Sequence, residues 1–255
     1  MKKYSLFTIL SSLLLMSVDC EREETPLEQT GTLELNFKGS FGDESLMMYA
    51  KDYAYEAGMK VKFQLFRFYL SDISVARSTF EYNTIISDVE IVDFKDIQSD
   101  AAAQNGFTVR IKNVPIGNYI GLNMGLGVSP KLNKTQPGDY SSSHPLSGNY
   151  WSWALGYVFT KIEGNADVDG DGQLTDKLTF HVGGDSYYRN KEFSKSFNIK
   201  EGETTRLDFE VDLQRVLVAA PGDFLDFRKV TIDHTNNVEV ATFISDNLKE
   251  AIEIK

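Results

Sequence analysis

From Thr32 onward the chain is written in short stretches of alternating polarity, and this period of two limits its fold more than any other feature. Leu33, Leu35 and Phe37 alternate with Glu34 and Asn36, and Phe107, Val109 and Ile111 repeat the pattern. Such spacing sends apolar groups to one face of a β-strand and polar groups to the other. Residues 193–199, 205–213 and 238–243 read as further alternating strands. Residues 61–75 form a longer strand whose phase changes near Phe66 to Phe68, as a bulge or bend would cause. Residues 85–86 and 89–94 add a strand pair, and the Pro115–Gly117 spacing marks a turn. Helical signals are confined to DIQSDAAAQNG, a loop or short helical turn, and to residues 246–252. The pattern predicts an all-β fold, a single-domain antiparallel β-sandwich over residues 32–255 with long loops and at most short helices.

The N-terminus reads as an export signal. Lys2 and Lys3 precede an apolar run, residues 6–16, that is too short to span a bilayer. Cys20, the single cysteine, stands where cleavage would fall and resembles the lipobox cysteine of bacterial lipoproteins. Residues 1–19 are therefore expected to be a lipoprotein-type signal peptide. Residues 20–31 comprise the lipidated Cys20 and a polar, aperiodic tether. This implies an exported protein anchored by lipid to the cell envelope, at the outer membrane and exposed at the surface, with no other membrane contact. A formal net charge of −11 opposes nucleic acid as a partner and suits cations.

The rarest side chains gather in residues 144–164, HPLSGNYWSWALGYVFTKIEG. Both tryptophans, Trp151 and Trp153, lie here, and His144, one of three histidines, stands just before them. If residues 151–159 form a strand and residues 178–182 return beside it as a hairpin, His181 lies next to the tryptophans. Two imidazoles and an electron-rich ring make a soft to borderline site that suits copper. The loop between them, DVDGDGQLTD, resembles the first half of an EF-hand. Asp167, Asp169 and Asp171 fall at its first three ligand positions and the Gln173 carbonyl at position seven. Leu178 stands where the bidentate Glu belongs, so Asp176, Glu163 or water would complete a structural calcium site. The glycines of residues 119–128 match no dinucleotide fingerprint and read as a crowded sheet crossing. No nucleophile elbow, zinc-protease helix or paired-carboxylate pattern is present, and no enzyme activity is expected.

Four blocks in order carry a family resemblance: FRFYLSDISV, VPIGNYIGLNMGLGV, HPLSGNYWSWALGYVFTKIEG and LTFHVGG. Together they resemble the MbnP-like copper-binding proteins, exported bacterial proteins associated with copper handling. The resemblance implies copper held by histidines and a tryptophan oxidised to kynurenine, the oxidation being attributed to a dihaem cytochrome c peroxidase or MauG-like partner. Mapped onto this chain it implies His144 and His181 as ligands and Trp151 or Trp153 as the modified residue. VTIDHTNN resembles a His-containing segment of relatives and makes His234 a third candidate. The expected function is thus copper capture or storage outside the cytoplasm. The competing expectations are a calcium-stabilised adhesion or scaffold module and a carbohydrate-binding module stacking sugars on Trp151 and Trp153.

Overall fold

Leu33, Leu35 and Phe37 are completely buried, and the strand that carries them, β1 (Thr30–Phe41), is central to the smaller of two packed sheets. A computed structural model describes residues 29–78, 84–151 and 155–255. Cys20 and Trp153 lie outside these residues. The main strands that follow β1 are β2 (Lys60–Ala76), β3 (Thr84–Asp93), β4 (Phe107–Pro115), β5 (Gly117–Leu126) and β6 (Tyr150–Trp151). Then come β7 (Gly156–Asp167), β8 (Asp176–Gly183), β9 (Arg189–Ile199), β10 (Thr204–Asp212), β11 (Ile232–Asp233) and β12 (Ile252–Ile254).

β1 runs between β4, antiparallel, and β10, parallel, with β12 added to the edge of β10. The larger sheet has the order β9-β5-β2-β7-β8-β11, with β3 on the other edge of β2 and β6 on β7. Its pairings are antiparallel except β8 with β11. The architecture is the expected all-β sandwich, with mixed sheets rather than purely antiparallel ones. Phe37 bridges the layers, stacking on Phe209 at 5.0 Å between ring centroids and meeting Phe68 edge-on at 6.2 Å. Such aromatic pairs add directional packing to area burial.

The anticipated irregularity of β2 arises because one edge changes partner. Residues 60–68 pair with β7 and residues 70–76 with β5, with register shifts in both ladders. The crowded crossing is also present: a Cβ on Gly125 would collide with the Tyr188 ring.

Two expectations are corrected. Residues 238–243 are not a strand but the start of a helix, α1 (Val238–Ala251). Its burial falls on Val240, Ala241, Ile244, Leu248 and Ala251, a spacing of three and four. Asn237 caps the helix by accepting from Glu239 N–H at 3.0 Å. Residues 85–86 and 89–94 also form one strand, β3, rather than two. Among the described residues no helix is long and apolar enough to cross a membrane.

The segment between β5 and β6 lies over the outer face of the larger sheet. Val128 and Leu146 from this segment pack on Tyr69, Val89, Tyr157 and Phe159 to form a second, smaller apolar cluster. Tyr69 Oη donates to the Pro145 carbonyl at 2.8 Å and accepts from Asn149 Nδ2 at 3.1 Å, fastening the segment to β2.

Candidate metal centre

Next to that outer cluster the same sheet face turns polar. Along β7, Val158, Thr160 and Ile162 face the core, while Tyr157, Phe159, Lys161 and Glu163 alternate with them and point outward. Across the sheet, Asp93 on β3 is opposite Arg67 on β2, Arg67 is opposite Lys161, and Lys161 is opposite His181 on β8. Asp93 and Arg67 form an ion pair. The hairpin expected between residues 151–159 and 178–182 is found with its first strand further along the chain, residues 156–167 against 176–183, and this pairing brings His181 to the row.

His234 arrives from the far side of β8. β11 runs parallel to β8 with Asp233 opposite Phe180, so the next residue along, His234, falls beside His181. The turn is fixed locally. The buried Asp233 carboxylate accepts from Thr235 N–H and Asn237 N–H, both at 2.9 Å. Thr235 in turn accepts from Gly183 N–H at 3.0 Å through its hydroxyl oxygen.

Trp151 is brought in by a reversal of the chain. The stretch from Trp151 to Phe159 is not one strand as expected: β6 folds back on β7, with Tyr150 opposite Tyr157 and Trp151 opposite Gly156. Gly156 has φ +88°, and a Cβ there would lie 2.5 Å from Asn133 Oδ1. That oxygen accepts from Tyr157 N–H at 2.9 Å, which ties the overlying segment to the start of β7.

The centre so built has His181 Nδ1 and His234 Nδ1 facing each other at 3.2 Å. The Trp151 ring lies 5.8 Å from the His181 ring and 5.7 Å from the His234 ring, centroid to centroid. Glu163 Oε1 is 2.7 Å from His181 Nε2. An ionised carboxylate only accepts, so Nε2 carries the proton and the lone pair of a neutral His181 is on Nδ1. His234 must then donate its Nδ1–H into that lone pair. Burial holds the His181 pKa below the usual histidine value, with the Lys161 charge and His234 acting the same way and Glu163 opposing them. Burial and the Arg67 charge likewise depress the Lys161 ammonium.

The donor set fits a borderline metal. Two nitrogens each bound at about 2.0 Å would stand about 4 Å apart if linear and about 2.8 Å apart at a right angle, so 3.2 Å matches a bent pair. For both Nδ1 atoms to bind one ion, the His234 Nδ1 proton would move to Nε2 of the same ring and both rings would turn so that their lone pairs meet beside the N–N line.

His144 is placed elsewhere. It precedes a helical turn, Pro145–Ser147, where its Nδ1 accepts from Leu146 N–H at 3.1 Å. Its ring stacks on Tyr140 at 4.1 Å, and burial lowers its pKa. The described geometry thus groups Trp151, His181 and His234 and gives His144 other partners. Sequence reasoning considered Glu163 only for calcium; its signal was a position on the outward face of β7, one diagonal step from His181. Lys161 and Arg67 carried no local signal.

The acidic loop forms a compact group, in which one carboxylate oxygen from each of Asp167, Asp169 and Asp171 lies within 4.8 Å of the others. Asp167 is buried and accepts from Gly170 N–H at 2.8 Å and Gly172 N–H at 2.9 Å. The Gln173 carbonyl accepts from Thr175 N–H at 3.0 Å. Asp176 begins β8 opposite Ala166 and is outside the group, as is Glu163, which is bonded to His181.

A β-sandwich that presents two facing imidazoles and an indole on the outside of one sheet defines a protein with a candidate centre for a soft or borderline metal. The chain belongs to the MbnP family, whose model matches residues 30–241. Among solved structures it is similar to MbnP from Methylosinus trichosporium, at 16% identity and a TM-score of 0.46 over 74% of this chain and 78% of that one. Comparison with curated proteins finds no match.

Proposed function

We propose that this protein captures or stores copper outside the cytoplasm, through His181 and His234 with Trp151 beside them, and performs no turnover. The observation that carries this reading is the pair of Nδ1 atoms 3.2 Å apart. Imidazole suits copper, and when bound the ion would take the place of the His234 Nδ1 proton, which would move to Nε2 of that ring. Membership of the MbnP family supports the same chemistry. In this reading His144 is not a primary ligand. A Cu(I) competition titration tests the proposal: His181→Ala and His234→Ala lose most of the affinity and His144→Ala keeps it. Unchanged affinity in both of the first two variants would sink the site.

Trp151 is the proposed position of a kynurenine formed by a dihaem peroxidase-type partner, because its ring borders both imidazoles. Mass spectrometry of native-host material checks it, since kynurenine adds about 4 Da to the modified peptide. The contact of Trp151 with two histidines favours this role over sugar stacking. Cys20 is proposed as the lipid anchor holding the protein to the envelope, outside the described residues.

Calcium is a second, separate reading, supported by the convergence of Asp167, Asp169 and Asp171. Its role would be structural. Chelation should then lower the melting temperature, because an ion bound only to the native state stabilises it by mass action.

A further inference from the structure

We propose that Glu163 is the positioning residue of the metal centre, selecting the nitrogen through which His181 can bind. The inference rests partly on the copper reading, but its first test does not. An imidazole has two nitrogens, and a neutral ring offers only one lone pair. Nδ1 of His181 faces His234 at 3.2 Å, while Nε2 faces Glu163 Oε1 at 2.7 Å.

Glu163 is the acceptor that separates these two uses. By holding the proton on Nε2 it keeps the lone pair on Nδ1, facing His234, and it fixes the ring against rotation about its bond to the strand. The carboxylate is only partly exposed, at 34%, and the His181 side chain less, at 13%, so water competes weakly for the bond. The row neighbour of His181 is Lys161, a cation that can only donate and so cannot replace the carboxylate. Glu163 reaches His181 diagonally from the Thr179 position of the ladder. A partner in this relation orients a ligand and raises its basicity without touching the ion.

The first experiment reads the tautomer of His181 in metal-free, 15N-labelled protein from long-range proton–nitrogen correlations. The wild type should show the Nε2–H form. Glu163→Leu should give a mixture of forms, and Glu163→Gln, whose amide oxygen can still accept, should retain Nε2–H. A competition titration with Cu(I) then follows on the same proteins. Glu163→Leu should weaken binding by about 10–100-fold, the usual range for such partners, with Glu163→Gln closer to wild type.

An Nδ1–H tautomer in the wild type would overturn the assignment without any variant. So would a Glu163→Leu protein with unchanged tautomer, or with a changed tautomer and unchanged affinity. If the tautomers behave as expected but the wild type binds no Cu(I), the copper reading fails while the ring-orienting role of Glu163 stands.

Discussion

The hydroxyl of Thr235 donates to the backbone carbonyl of His181 at 2.8 Å, so the turn bearing one histidine is fastened to the strand bearing the other. Thr235 does this from a left-handed conformation, φ 62°, which a β-branched residue adopts only when its surroundings hold it there. Thr235→Val keeps the shape and removes both hydrogen bonds of the hydroxyl. The loss should be about 1–3 kcal/mol, because Gly183 N–H and the His181 carbonyl lose a partner in a part-buried setting. Urea denaturation gives the stability change, and Cu(I) titration of the folded variant should show weaker binding as His234 loosens.

The pH dependence follows from the lowered pKa of His181. Below about pH 6.5, the ordinary histidine value, the unfolded chain takes up a proton that the folded protein still refuses. The unfolded state then binds more protons, so stability falls as pH falls through this window and levels off once the folded ring also protonates. His181→Asn should flatten this part of the profile. Thermal melts of both proteins between neutral and mildly acidic pH check the sign.

Gly156→Ala tests the chain reversal that delivers Trp151. The substitution meets both a positive φ and the Asn133 side chain. It should destabilise the protein by about 1–3 kcal/mol, measured by urea denaturation. It should also weaken Cu(I) binding, since β6 loses the geometry that holds Trp151 over the two rings.

Asp167→Ala probes the acidic loop with or without an ion. Asp167 caps two backbone N–H groups from a buried position, so its loss should lower stability by about 1–3 kcal/mol even in chelator. A larger loss in the presence of calcium than in its absence is expected if the ion binds there. Equal losses in both conditions would leave the carboxylate a purely structural role.

The alternation of β1, β4 and β10 was enough to read the sandwich, because a half-buried strand imprints its two faces on its own sequence. The return of residues 178–182 beside the strand before the acidic loop was legible from the loop between them, though that strand begins at Gly156 rather than Trp151. Partner choice was not: β1 beside β10 and β8 beside β11 are parallel pairs between segments far apart in the chain, and nothing local records them. That is also why His234 ranked behind His144 from sequence, whereas a two-residue strand places His234 against His181. Residues 238–243 misled because Val238, Val240 and Thr242 mimic alternation. Val238 is in fact 66% exposed, and the cap at Asn237 with the later spacing of Ile244 and Leu248 was the better signal.

His181 stands between Phe180 and Val182, both turned toward the core, while its own ring faces the opposite way. A slip of β8 by one residue would carry the imidazole into the hydrocarbon interior and expose Phe180 to water. The strands therefore proofread the metal centre: the apolar residues that build the sandwich reject any one-residue slip that would turn His181 away from His234.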